Sequence, residues 1–373
     1  MSNDLFINNI GTMFEPTGYA KANRNLTLAL LKLGVRVRYT PIHAEVVRIA
    51  LEPNAEATVN SLIHTALPEK YMNLFHYPPM YFRKEVRRYS IGITMYECTG
   101  LPFQWARNCN LMDEIWVPSA FNRHTFIQSG VMPRKIRIMP FGVDPNMYRP
   151  GLPPLTIAGK RGYTFLTVCS FDERKGIDIL LSAFFQEFSE DEDVSLIIKT
   201  RASSEEEISR QQALIDHISI AQSGRKRESV ILLSTTQSWT EEEMARLYNS
   251  VNCYVLPTRG EGWNMTVMEA MATGIPVITT GWSAHLDYIN DTNGYLISVQ
   301  GFAPSSPGAS RRLWAIPNTA HLRQLMRHVY THQDEANDKG SIGRQSVIHQ
   351  YTWDISAQNM QHRLHEISEE MKL

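Results

Sequence analysis

Strand-like and helix-like segments alternate twice along this chain, and a stretch dense in proline and glycine separates the two series. That alternation, with short connections, is the pattern of parallel sheets whose strands are joined by crossover helices. In the first series Leu5–Ile10 reads as a strand and a loop with Gly11 and Gly18 follows. Ala20–Leu33 then carries apolar residues at helical spacing and stops at Gly34. Val35–Tyr39, Ser90–Met95, Glu114–Val117 and Lys135–Met139 read as further strands. The dense stretch, Pro140–Arg161, reads as a linker. Beyond it the pattern restarts. Thr164–Cys169, Val194–Lys199, Val230–Leu233, Cys253–Leu256, Pro276–Thr279 and Tyr295–Ile297 read as strands, and Ile177–Phe188 and Glu241–Asn249 as helices. The charged stretch Ser203–Glu228 reads as a solvated helix and a loop.

Two domains also follow from size, since 373 residues exceed what one hydrophobic core encloses. The expected division is 1–150 and 151–353, with a terminal helix over 354–373. A composition of 43% apolar and 20% charged residues is that of a soluble globular protein. The net charge of −1 argues against nucleic acid as the main partner. Residues 1–150 nevertheless hold an excess of six basic over acidic side chains, which suits phosphates, a lipid surface or an ordinary solvated face. The run Arg83–Arg88 fits a solvated helix face better than a peripheral lipid contact. Cys98, Cys109, Cys169 and Cys253 lie far apart, as reduced thiols do, not a disulfide frame or zinc site. Met1–Tyr19 lacks the form of a signal peptide, and no run approaches the ~20 apolar residues of a membrane span. A cytoplasmic location is the expectation. No HxxxH, HExxH or DxD pattern with suitable context suggests a metal, so no cofactor or metal requirement is expected.

The segment Pro257–Ala272 carries the most chemistry. A strand ends in Pro and Gly, a loop holds Glu261, and a helix begins that carries Glu269 eight positions on. Loop amides and a helix N-terminus attract anions. Carboxylates placed there would repel a phosphate unless they served another purpose, and paired carboxylates suit vicinal hydroxyls such as those of a sugar and a ribose. Taken alone, Glu269 could simply be an acid complementing the helix dipole.

This segment, EGWNMTVMEAMATGIPV, resembles the E-x7-E region of retaining GT-B glycosyltransferases of family 4, commonly EGFGLPVLEAMACGVPV. The resemblance implies an α/β chain of two facing Rossmann-like domains with parallel sheets and an interdomain cleft. The first domain would face the acceptor and the second would bind the donor. Glu261 would contact hydroxyls of the transferred sugar and Glu269 the ribose. Backbone amides around Gly262, Trp263, Asn264, Met265 and Thr266 would touch sugar or phosphates. Asn264 and Thr266 stand where Gly and Pro are usual.

The segment Thr167–Asp178 is similar to the family's first strand and loop of the second domain, where an Arg and a Lys hold the donor diphosphate. Lys175 fits the Lys, Ser170 stands at the Arg position, and Arg174 or the Ser170 hydroxyl would compensate. Without these neighbours Lys175 would read as a surface lysine. In the first half, Pro16–Tyr19 resembles the loop where Gly18 and Tyr19 approach the donor phosphates. Asp113–Ser119 and Phe141–Asp144 resemble the strand and signature at the domain junction, and Trp353 the start of the closing helix that packs back on the first domain. Tyr96 stands where many members carry a His, with Glu97 beside it as a candidate catalytic residue of the acceptor side. His76 could line the same side or be structural.

The reaction implied is metal-independent transfer, with retention, from a UDP- or GDP-sugar to a glycan, lipid-linked or other hydroxyl acceptor. Lys175 would stabilise the leaving diphosphate. A catalytically idle nucleotide-sugar binder and a nucleotide-sugar epimerase are the rivals. A phosphorylase is disfavoured by length, and a nicotinamide dehydrogenase by the missing GxGxxG. Base contacts are expected from Ser234–Trp239. Donor base, acceptor and oligomeric state are not written in the residues.

Overall fold

The structure, a computed structural model, describes residues 5–371 and divides into two compact units. One holds the chain up to Gly142 and from Gln350 onward; the other is Val143–His349. The first junction therefore lies before the expected 150/151. The reason is local: Tyr148 hydrogen-bonds Glu241, Arg344 Nη1 donates to Tyr148 O (3.2 Å), and Asn249 Nδ2 donates to Arg149 O (3.0 Å). Residues 143–150 are thus part of the second unit.

In the first unit the elements are β1 (Phe6–Gly11), α1 (Gly18–Lys32), β2 (Arg36–Pro41), α2 (Pro53–Ile63), β3 (Met72–His76), β4 (Ser90–Ile93), α3 (Phe103–Leu111), β5 (Glu114–Val117), α4 (Ala120–Gln128) and β6 (Ile136–Ile138). The strands form one parallel sheet in the order β2-β1-β3-β4-β5-β6. Thr17 caps α1 by accepting from Ala20 N (3.2 Å), and Ser119 caps α4 through Asn122 N (3.1 Å), each satisfying one orphan amide. Arg83–Arg88 is loop and turn, not the helix face expected: Lys84 pairs with Asp113, Arg88 Nη1 donates to Glu69 O (2.6 Å), and Arg87 has φ +64.

The second unit contains β7 (Tyr163–Val168), α5 (Ile177–Glu187), β8 (Val194–Arg201), α6 (Glu205–Ser223), β9 (Val230–Thr235), α7 (Glu241–Tyr248), β10 (Cys253–Leu256), α8 (Met265–Thr273), β11 (Val277–Thr280), β12 (Tyr295–Ile297), the antiparallel hairpin β13 (Val299–Pro304) and β14 (Leu313–Pro317), α9 (Thr319–Thr331) and most of α10 (Gln333–Gln350). Its parallel sheet runs β12-β11-β10-β7-β8-β9. β8 is buried along nearly its whole length, as a parallel strand covered on both faces must be. Phe165, Leu180, Phe184, Phe188 and Leu196 form the centre of the core between sheet and helices.

The last helix, α11 (Trp353–Met371), returns to the first unit and packs on α1. Two features fix it. A Cβ at Gly142 would overlap the backbone of Thr352 and Trp353, so only glycine permits that approach. Arg363 Nη2 reaches the buried Glu114 Oε1 at 2.6 Å, while Glu114 Oε2 accepts from Trp116 Nε1 at 2.8 Å. Removing Arg363 leaves the buried Glu114 with only the more exposed Arg137, 3.6 Å away, as a cationic partner, and weakening a buried pair in this way is costly. Arg363→Ala should therefore lower stability by about 3 kcal/mol, read as an earlier chemical-unfolding transition of the first unit. Glu114→Gln combined with Arg363→Met should recover much of the loss.

Among the described residues no helix is long and apolar enough to cross a membrane.

Candidate active site

In an open α/β sheet, ligands bind beyond the carboxyl ends of the strands where the order reverses. In the second unit the chain runs outward from β7 to β8 and β9 and returns to β10 on the other side of β7, so the reversal lies between β7 and β10. The loops after these two strands meet there. Ser170–Gly176 ends in a 3-10 turn, Glu173–Lys175, capped by Asp172 Oδ1 on Lys175 N (3.3 Å). Gly176 follows with φ +70, and a Cβ there would collide with Pro257 O. Arg259 N donates to Arg174 O (2.6 Å) and Thr258 Oγ1 lies 3.1 Å from the same oxygen, so the two loops are held together.

Glu261 stands at the centre of this junction, 5% exposed. Its Oε2 lies 3.0 Å from Arg174 Nη1 and its Oε1 2.7 Å from Lys175 Nζ, while Thr258 Oγ1 donates to Oε1 at 2.9 Å. Burial alone would raise this carboxyl, but Arg174 and Lys175 outweigh it and hold the pKa at about 2. At neutral pH Glu261 is therefore a carboxylate that accepts hydrogen bonds and has no proton to give. Ser170 Oγ donates to Asp172, while Arg174 is directed at Glu261. Arg174 Nη1 also donates to Gly260 O (2.8 Å).

α8 begins beside this cluster. Asn264 has φ +99, a conformation that glycine adopts freely and asparagine tolerates better than most residues. In return its side chain does what glycine cannot: Oδ1 accepts from Val267 N (3.2 Å) and caps the helix. Asn264 Nδ2 donates to His285 Nε2 (3.3 Å), and His285 Nδ1 donates to Thr280 O (3.2 Å). This arrangement requires the neutral ring, and burial lowers its pKa to about 4. Met265 opens the helix. The hydroxyl of Thr266 is engaged internally, within 2.9 Å of Asn264 Oδ1, 2.8 Å of Tyr254 OH and 3.2 Å of Val168 O.

Trp263 is 1% exposed with its ring against Tyr288, whose hydroxyl donates to Trp263 O (2.9 Å). Its indole is core, which leaves the backbone of Gly262–Met265 as the part of this loop able to meet a ligand. Glu269, one helical face further along, is buried and accepts from Tyr248 OH at 3.0 Å. Glu261, Lys175, Arg174, Ser170, Asn264 and the start of α8 are thus brought together. The sequence reading missed His285 and Ser283, whose Oγ accepts from Glu261 N at 3.0 Å. Both lie over twenty residues downstream in no motif, so only the fold reveals them.

In the first unit, Gly18 is the first residue of α1. Tyr19 OH lies 2.9 Å from Thr94 Oγ1 and 3.2 Å from Met95 O, and burial pushes its pKa far up. His76 ends β3, buried, and burial drives its pKa down to about 3. Tyr96 packs on Trp105 at a 4.9 Å centroid distance, and its backbone is clamped by Asn122, which donates to Tyr96 O at 2.6 Å. Glu97 is half-buried in the loop after β4. Among the described residues, no three His, Cys, Asp or Glu side chains gather as metal ligands do.

Two outcomes follow for the second unit. Asn264→Gly keeps the backbone conformation but loses the side-chain cap, and Asn264→Ala loses both; unfolding should show a loss of a few tenths of a kcal/mol for the first and about 1 kcal/mol or more for the second. His285 binds its proton less readily folded (about 4) than unfolded (6.5). Its contribution is complete above pH 6.5 and lost as pH falls towards 4. Glu261, depressed from 4.5 to about 2, contributes above pH 4.5 and loses that contribution below it. Stability measured against pH should fall from pH 6.5 downward, and His285→Gln should flatten the upper part of that fall.

Residues 162–305 match the family Glycosyl transferases group 1. Over 247 residues the chain is 22% identical to the MMP alpha-(1->4)-mannosyltransferase of Mycolicibacterium hassiacum, covering 65% of this chain and 52% of that one. Over 81 residues it is 32% identical to a GDP-mannose-dependent alpha-mannosyltransferase of Corynebacterium glutamicum, covering 21% of this chain and 19% of that one. The matched region thus spans about half of these relatives or less. Among solved structures, sucrose-phosphate synthase from Thermosynechococcus elongatus superposes with a TM-score of 0.71 at 17% identity, covering 97% of this chain and 99% of that one. HepE of Anabaena, in complex with UDP and glucose, gives 0.67 at 12%, covering 97% and 100%. The chain therefore carries a glycosyl transferases group 1 domain on the GT-B fold.

Proposed function

We propose that this protein transfers a glycosyl group from a nucleotide-diphosphate sugar to a hydroxyl acceptor, with retention of anomeric configuration and without a resident metal or cofactor. One observation carries the reading: Glu261 is held as a carboxylate between Arg174 and Lys175 at the start of α8. A donor diphosphate placed against the opening turn of α8 would meet its amides and dipole as well as these two cations. Arg174 and Lys175 would then be shared between phosphate and carboxylate, which supplies the positive charge that leaving-group departure requires. Glu261, an acceptor only, would orient the sugar through its hydroxyls. Glu269 would take a ribose hydroxyl in place of, or beside, Tyr248 OH.

In the step itself, the bond between the anomeric carbon and the phosphate oxygen breaks and the bond to the acceptor oxygen forms on the same face. The acceptor's proton passes to the departing phosphate oxygen, so no protein nucleophile is needed. Glu97 is assigned to the acceptor side. UDP- and GDP-sugars are the favoured donors: HepE is seen with UDP and glucose, and the corynebacterial relative is named for GDP-mannose. The acceptor class is a glycan, a lipid-linked sugar or another hydroxyl compound.

The test is release of free nucleoside diphosphate from UDP-, GDP-, ADP- and dTDP-sugars, alongside calorimetric binding of each. One donor should be turned over, Lys175→Ala should lower kcat by roughly 10²-fold or more, and Glu269→Ala should weaken donor binding by about tenfold. Failure to bind any of these donors would sink the proposal. Binding without turnover under any acceptor would make the chain an idle nucleotide-sugar binder.

A further inference from the structure

The carboxyl ends of the first sheet hold a second cluster, of which only Tyr19 is among the residues expected at the donor. There the strand order reverses between β1 and β3, whose last paired residues are Gly11 and His76. His76 is 1% exposed, yet neither ring nitrogen has a hydrogen-bond partner among the described residues, and the same holds for the buried hydroxyl of Thr12. Buried polar groups normally find partners, so such groups side by side at a strand-order reversal point to a ligand. Around them stand aromatic rings: Tyr19 edge-on to His76 (6.1 Å) and 5.8 Å from Tyr77, Tyr77 5.0 Å from Tyr81, and His43 5.4 Å from Tyr77. His43 Nε2 lies 2.9 Å from Tyr77 OH and 3.4 Å from Glu15 Oε1.

The anion-binding part of this region is already occupied from within. The amides of Met13 and Phe14, in the loop after β1, both donate to Glu45 Oε1 at 2.7 Å, and Tyr39 OH donates to Glu45 Oε2 at 2.7 Å. An incoming phosphate would find these loop donors filled by a carboxylate, with Glu15 close by. Of the cations beside the loop, the buried Arg24 donates to Met13 O (2.6 Å) and Arg48 lies over the Phe14 ring (3.6 Å).

We propose that this cluster is the subsite for an uncharged, polyhydroxylated acceptor, a neutral sugar or glycan end, and that it discriminates against phosphorylated sugars. The proposal rests on the transferase reading above and names the acceptor class for it. A pyranose presents apolar C–H faces, which aromatic rings cover, and hydroxyls that both donate and accept. A neutral imidazole offers one donor and one acceptor and matches a hydroxyl; a phosphate, acceptor only, can use one of the two. Glu15 and Tyr77 add a further acceptor and donor on the same side.

The experiment is saturation-transfer NMR on the full chain with methyl α-glucoside, methyl α-mannoside, maltose and glucose 6-phosphate, with dissociation constants from titration. At least one neutral sugar should bind, and glucose 6-phosphate should bind about tenfold more weakly than methyl α-glucoside. Tyr77→Ala should weaken the neutral sugar about tenfold, Tyr77→Phe should retain most of its binding, and Glu45→Ala should improve glucose 6-phosphate by uncovering two amides. Preference for glucose 6-phosphate, no binding of any neutral sugar, or indifference of that binding to Tyr77→Ala would each overturn the proposal. Thermal unfolding followed by circular dichroism checks that each variant is folded, and calorimetric nucleotide binding keeps the two readings separate: its absence in wild type would count against the transferase, not against this subsite.

Discussion

Removing a carboxylate from water is costly, and the site in the second unit is organised around meeting that cost at Glu261. Two cations and a hydroxyl converge on it, and each is delivered by a segment that has little other reason for its shape. The 3-10 turn Glu173–Lys175 points consecutive side chains at one acceptor, and left-handed Gly176 lets that turn lie against Pro257. Arg259 repeats the arrangement at the rim, where its guanidinium holds Asp178 with two hydrogen bonds at 3.0 and 2.7 Å. The cluster is preorganised: its charges are set by the chain itself, so the transfer proposed above would need little rearrangement there.

The start of α8 shows how one residue can meet a backbone requirement and a capping requirement together. A glycine at position 264 would satisfy the backbone, and a separate residue would then have to cap the helix. Asn264 covers both needs and adds a tie to His285, itself fixed by Thr279 and Thr280. The buried histidine and the buried carboxylate each favour the other's charged form, but burial keeps His285 neutral while Arg174 and Lys175 keep Glu261 charged.

Much of this was legible in the residues. The period-switching strands and helices gave both parallel sheets, because fully buried strands and one-sided helices leave distinct apolar patterns. Glu261 and Glu269 stood out through their spacing at a helix start, whereas Lys175 was marked only by the resemblance of its loop to a known family. What escaped notice has a common cause, dependence on contacts distant in sequence. The hairpin β13–β14 is short and flanked by ordinary loop residues, and α2 lacks a side-chain cap and carries mixed polarity. The run Arg83–Arg88 looked helical from charge alone, but Asp113 and Glu69 anchor it as a loop. Glu45 sits in a featureless stretch whose importance appears only when its carboxylate is found on the amides of Met13 and Phe14.

The approach of Gly142 to Thr352 and Trp353 has a meaning for how the protein is made. The first unit is discontinuous: Val143–His349 is inserted into it, and α11, which completes it, is synthesised only after the whole of the second unit. During synthesis α1 has nothing to pack against in α11, and Glu114 has no Arg363. The second unit is continuous and can complete its core while the first waits. The unit that is begun first is therefore completed second, closing around a helix that follows the other unit in the chain.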